Sequence, residues 1–212
     1  MKLIIFDFDG TLADTRELIV KTMQQTISAL ELSPRTDEQC ASMIGLPLKQ
    51  AFMDLIPMND ETGNLCVNTY RHLFATNNAT YQVPPFPHVI ETLRLLAEKG
   101  YTLSIASSRS RTSLLELIRC MKIDDIITYV LGADDVKHAK PHPEPVIKTL
   151  HRFGCKAEEA LVVGDMTYDI EMGRNAGVRT CGVTYGNGSR KELLDAGADY
   201  LIDNIQDVIN IS

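Results

Sequence analysis

From residue 101 onward the chain alternates between short runs rich in Val, Ile and Leu and stretches of helical spacing. The expected order is strand 101–107, helix 111–121, strand 128–132, helix 144–153, strand 160–164, helix 168–176, strand 179–183, helix 189–196 and strand 200–202. Strands joined through helices run parallel, because a parallel pair needs a crossover connection. The expected fold is therefore α/β, a doubly wound parallel sheet with helices on both faces. Ligands of such sheets sit outside the carboxyl ends of the strands, at a topological switch point.

The chain opens MKLIIFDFDGTLADT. Leu3, Ile4, Ile5 and Phe6 read as one more buried strand, and it ends in two aspartates two positions apart. Residues i and i+2 leave a strand on one face, so Asp7 and Asp9 are expected to project together. Two like charges about 4 Å apart repel by roughly 4 kcal/mol at an effective dielectric near 20. A divalent cation is the simplest group to offset that repulsion.

About 90 residues separate this strand from the next, whereas a crossover needs only a dozen or so. Leu18, Ile19, Met23, Ile27 and Leu30 fall at helical spacing, with a stop near Ser33 and Pro34. Further helices are expected near 37–43, 48–55 and 61–76, and PPFP at 84–87 precedes a helix at 88–99. The expected division is a core of residues 1–14 and 83–212 with a small all-helical cap at 15–82. No internal repeat or low-complexity segment interrupts this plan.

Composition narrows the function. A net charge of −7 with no Lys/Arg cluster argues against nucleic acid as a partner. Five scattered cysteines, odd in number and with no CxxC pair, fit free thiols in a reducing cytoplasm better than disulfides or zinc. The first apolar run stops at Asp7, too early for a signal-peptide core, and no run of about 18 apolar residues follows. A cytoplasmic protein without a membrane partner is expected; monomer and dimer both stay open.

Four further sites, five residues in all, belong with the aspartates on one rim of the sheet. Strand TLSIASS ends at Ser107 and Ser108, where hydroxyl and backbone N–H groups can hold a phosphate oxygen. Lys140 stands before a proline in HAKPHPEP. Strand LVVGD ends in Asp165, and Asp169 follows one helical turn later. Taken singly, each has an ordinary role: a helix cap, a surface lysine, a turn before a helix start. Together, carboxylates, a lysine and a hydroxyl make a site for phosphoryl transfer, and hard oxygen ligands make magnesium the natural metal.

DFDGT, Ser107 after its strand, Lys140 in KPHPE and GDMTYD at 164–169 resemble, in order, the four motifs of haloacid dehalogenase-superfamily phosphohydrolases. IGLPLKQAF in the helical region and the tail from Asn175 resemble the phosphoglycolate phosphatase-like branch with a helical cap. The resemblance implies Asp7 as nucleophile, forming an aspartyl-phosphate, and Asp9 as general acid and then base. It implies magnesium on Asp7, Asp165 and the backbone carbonyl of Asp9, with Asp169 ordering a metal-bound water or Lys140. Thr11, Ser107, Ser108 and Lys140 would hold phosphate, Gly10 would let the chain turn, and Thr11 would also support the loop. Met166 and His88 depart from the pattern, which tends to have Thr and Gly at those places.

The expected substrate is a small soluble phosphate, 2-phosphoglycolate first. Pyrophosphate and sugar phosphates, the latter for a phosphatase or a phosphomutase, are the alternatives. Asp9 argues against dehalogenation, because a halide leaving group needs no proton. Lys21 and Lys49 are the positions a Schiff-base phosphonatase would use, and nothing around either suggests a depressed pKa. His138 and His142 read as solvated loop histidines, Met43, Met53 and Met58 as core filler. Arg71 could meet a substrate carboxylate or pair within the cap. A non-hydrolytic phospho-acceptor switch is the rival of another class, and the large helical insert counts against it.

Overall fold

A computed structural model describes residues 2–81 and 83–211. Strand β1 (Leu3–Phe6) is followed by helices α1 (Arg16–Ala29), α2 (Asp37–Ala41), α3 (Leu48–Leu55), α4 (Asp60–Thr80) and α5 (Val89–Glu98). The alternation then runs β2 (Thr102–Ala106), α6 (Arg111–Cys120), β3 (Ile127–Leu131), α7 (Glu144–Phe153), β4 (Ala160–Gly164) and α8 (Thr167–Asn175). It closes with β5 (Arg179–Val183), α9 (Arg190–Asp195), β6 (Tyr200–Ile202) and α10 (Val208–Ile211). Every pairing is parallel, in the order β3-β2-β1-β4-β5-β6. The expected α/β doubly wound sheet is the observed one.

β1 lies at the centre, pairing Phe6 with Ile105 of β2 on one side and Val163 of β4 on the other. The chain leaves β1 for β2 and crosses back to β4 on the far side, so the switch point lies at the end of β1. All four residues of β1 are buried, as a central parallel strand requires. Ile4 and Phe6 join a core with Leu93, Leu96, Leu103 and Leu117. Leu3 and Ile5 face the opposite side, with Val146, Val162 and Met172.

Helices α1 to α4 bury a third apolar cluster, including Leu18, Met23, Ile27, Phe52, Cys66, Tyr70 and Phe74. The chain enters and leaves this helical region side by side, where Asp14 N–H donates to the Pro84 carbonyl at 2.9 Å and Ala13 bridges Pro85. Gln82, the last residue expected in the helical insert, lies outside the described residues. Several boundaries differ from the sequence reading. α1 ends at Ala29, before Ser33, because Glu31 takes a left-handed φ of 51° and Leu32 N–H turns back to Ile27. α4 runs past Thr76 to Thr80, with no Pro or Gly to stop it. His88 precedes α5 with a φ of 66°, which is why glycine suits that position.

No helix among the described residues is long and apolar enough to cross a membrane. α5 buries Val89, Thr92, Leu93 and Leu96 against the sheet and turns Leu95 outward at 39% exposure. Leu93→Ala is therefore expected to cost about 2–5 kcal/mol, and Leu95→Ala under roughly 1 kcal/mol. Urea midpoints of the two variants check this; equal shifts would contradict the packing described.

Candidate active site at the strand ends

β1 stops at Phe6, so Asp7 and Asp9 stand just beyond the ladder. Asp7 N–H still reaches back to the Val163 carbonyl at 2.8 Å. The chain then turns at Gly10, with a φ of 84°. A Cβ there would strike the Asp165 carboxylate and the Asn187 side chain, so the position also needs glycine for space.

Lys140 is the hub of the site. Its ammonium donates to Asp7 Oδ1 and to Asp169 Oδ1, each at 2.6 Å, with all three side chains at most 5% exposed. Asp169 comes from the first turn of α8, and its other oxygen accepts from Met166 N–H at 3.1 Å. Asp165, fully buried after β4, accepts from Asn187 N–H at 2.7 Å, Asn187 Nδ2 at 3.0 Å and Thr11 Oγ1 at 3.1 Å. Asp7, Asp165 and Asp169 offer oxygens that all lie within 4.8 Å of one another. The sheet order assembles this group, because the ends of β1 and β4 are neighbours.

Electrostatics follow from burial. Desolvation pushes the Asp7 carboxyl well above its ordinary value; Lys140 pulls it down, while Asp169 and Asp165 add to the push. Burial, then Asp169, push Asp165 up to about 7 against the hydrogen bonds from Asn187 and Thr11. Burial works against the charge on Lys140, yet Asp169 and Asp7 hold its pKa above the ordinary value. Three buried carboxylates thus face one buried ammonium. With all three ionised the surplus is two negative charges on hard oxygen donors, which is the charge and chemistry a divalent cation such as magnesium matches.

The second aspartate has a cation of its own. Arg109, in the loop after β2, grips Asp9 in a two-pronged pair, Nη2 to Oδ1 at 2.5 Å and Nε to Oδ2 at 3.1 Å. The guanidinium carbon lies 4.6 Å above the Phe74 ring of α4. Asp7 and Asp9 thus each have a protein cation beside them, Lys140 and Arg109, but Lys140 is shared with Asp169, so the group of Asp7, Asp165 and Asp169 stays short of positive charge. Sequence reading missed Arg109. Its place two residues past Ser107, on the same rim, was the available signal, but nothing in the sequence named its partner.

The other expected residues are placed as follows. Ser107 is 7% exposed, and its hydroxyl accepts from Arg109 N–H at 3.2 Å. The Ser108 hydroxyl donates to the Gly45 carbonyl of the helical region at 2.6 Å. Thr11 is fully buried with its hydroxyl committed to Asp165. Arg71 is exposed, as are Lys21, His138 and His142, and Lys49 pairs with Asp60. His138, His142 and Glu144 form a second group with ligand atoms in reach of one another. The Glu144 carboxylate there is already engaged by Lys137 N–H, His138 N–H, the His138 ring and Lys148.

Comparison with known proteins agrees with this geometry. The model for haloacid dehalogenase-like hydrolases matches residues 4–183. Pyrophosphatase PpaX of Anoxybacillus flavithermus is 34% identical over 210 residues, spanning 98% of this chain and 95% of that one. Probable phosphatase IndB of Dickeya dadantii is 35% identical over 211 residues, spanning 98% and 91%. In fold alone, the solved structure titled a predicted phosphoglycolate phosphatase from Haemophilus somnus superposes with a TM-score of 0.90 at 24% identity, over 100% of this chain and 97% of that one. The chain belongs to the haloacid dehalogenase-like hydrolases.

Proposed function

We propose that this protein is a magnesium-dependent phosphatase of small soluble phosphates, with Asp7 as its nucleophile. The observation that carries the reading is the buried group of Asp7, Asp165, Asp169 and Lys140, two negative charges in surplus at the switch point of the sheet. Magnesium would be held by Asp7, Asp165 and the carbonyl of Asp9. When bound it supplies positive charge against the phosphoryl oxygens.

In the first half-reaction an Asp7 oxygen bonds to phosphorus as the bond to the leaving oxygen breaks, and Asp9, in its acid form with one oxygen released from Arg109, gives that oxygen a proton. In the second, Asp9 takes a proton from water as the water oxygen bonds to phosphorus and Asp7 departs as a carboxylate. Lys140 balances charge on the transferring group, and Ser107 lends it a hydrogen bond. Asp169 keeps Lys140 in place. Thr11 and Ser108 serve in the ligand-free form through Asp165 and Gly45. Residues 15–82 act as a cap that closes over the site and selects the leaving group. All five thiols are free, which favours a cytoplasmic location.

2-Phosphoglycolate and pyrophosphate are the leading substrates, the second favoured by the name of the PpaX relative. Asp7→Asn is expected to lower phosphate release by roughly a thousandfold or more. Asp9→Asn is expected to slow alkyl phosphates by about 10²–10⁴ and p-nitrophenyl phosphate far less, because nitrophenolate leaves without a proton. Steady-state assays with magnesium check both. Labelling of Asp7 that stops near one phosphate per chain would replace the enzyme with a phospho-acceptor switch.

The raised pKa of Asp165 sets the sign of a pH effect. An acid whose folded pKa exceeds its unfolded value near 4 costs stability as pH rises through that window toward about 7, and the full cost persists above it. A divalent cation favours the ionised form and offsets the cost. Magnesium should therefore raise Tm more at pH 8 than at pH 5.5, and Asp165→Asn should flatten the difference. Equal gains at both pH values in the unsubstituted protein would refute this.

A further inference from the structure

Arg109 is a strongly charged group at the rim whose task the reaction above leaves unassigned. Its side chain is 8% exposed. Nε and Nη2 hold the two oxygens of Asp9, and Nη1 donates to Ser113 Oγ at 3.1 Å. One face lies over Phe74, which stacks on Tyr70 with ring centroids 5.7 Å apart. A guanidinium carries five N–H donors, and these contacts use three. One N–H on Nη1 and one on Nη2 remain for a ligand.

We infer that Arg109 is a specificity-determining residue that selects phosphates whose leaving group carries its own negative charge close to the leaving oxygen. The inference rests on the phosphatase reading and on Asp9 as the acid. Asp9 must touch the leaving oxygen, so that oxygen sits one hydrogen bond from a carboxylate that Arg109 already grips. An anionic group one or two bonds further on comes within reach of the two remaining donors. The second phosphate of a diphosphate fits this description, and so does the carboxylate of a phosphorylated hydroxy acid. The planar fork of arginine matches the oxygens of either group. A neutral polyol places hydroxyls there and gains no ion pair from the buried cation. Phe74 and Tyr70 keep water from that side, which strengthens the discrimination.

A residue that only held Asp9 in place would slow two alkyl phosphates with equally basic leaving oxygens alike, so the test is a ratio. The pair 2-phosphoglycolate and 2-hydroxyethyl phosphate differs by a carboxylate against a hydroxymethyl group. Their kcat/KM values would be measured with magnesium in the wild-type protein, Arg109→Gln and Arg109→Lys, with p-nitrophenyl phosphate as a general substrate. The wild-type ratio should favour the charged member by about a hundredfold, Gln should cut the ratio by about tenfold or more, and Lys should restore part of it. Losses that act through Asp9 cancel from the ratio.

Should neither variant fold, inhibition of the wild-type protein decides. Phosphonoacetate should bind at least about tenfold tighter than 2-hydroxyethylphosphonate. A wild-type ratio near one, a ratio unmoved by Gln, or equal inhibition overturns the inference alone. No phosphate release from any substrate, p-nitrophenyl phosphate included, overturns the phosphatase reading beneath it.

Discussion

The contact on which this structure turns is the ammonium of Lys140 set between Asp7 and Asp169, 2.6 Å from each, with Asp165 beside them. Like charges are costly to gather out of water, and one lysine cannot balance three carboxylates. The surroundings answer that cost locally. Asn187 gives Asp165 two donors and Thr11 gives it a third, while the backbone of Met166 holds Asp169. Gly10 lets the first loop approach Asp165 where any side chain would collide. These contacts hold the carboxylates together and leave them rich in negative charge.

A second ion pair ties the rim to the helices above it. Arg109 joins Asp9 to Phe74, and Ser108 joins the rim to Gly45. Asp9 thus meets the helical region through a cation and an aromatic ring, so the group proposed to move a proton is linked to the position of α4. The two aspartates of one loop hold different partners: Asp7 belongs to the sheet and its lysine, and Asp9 to the arginine under the helices.

Much of this was legible in the sequence, for identifiable reasons. The parallel sheet followed from strand and helix periods, which local side-chain spacing determines. Asp7, Asp165 and Asp169 were found because each stands at the carboxyl end of a strand or within a turn of it, and fold topology brings strand ends together; Lys140, in the loop between β3 and α7, was found from its KPHPE setting. The partners were not legible. Asp7 and Asp9 stand beyond the last residue of β1, and strand spacing could not name the separate cations they pair with, Lys140 and Arg109. The role of Arg109 depended on a pairing across 100 residues and on stacking with a helix outside the sheet. The Thr11 hydroxyl donates to Asp165, a contact across 154 residues that no local pattern encodes.

The central claim is that the surplus charge of the buried carboxylates is a site for one divalent cation. The most direct measurement is equilibrium binding of Mn2+ followed by electron paramagnetic resonance, with Mg2+ as competitor, in the unsubstituted protein and Asp165→Asn. The account predicts one saturable Mn2+ per chain, displaced by Mg2+ and weakened by about a hundredfold or more in the variant. Binding unaffected by the substitution, or no saturable binding, would contradict it.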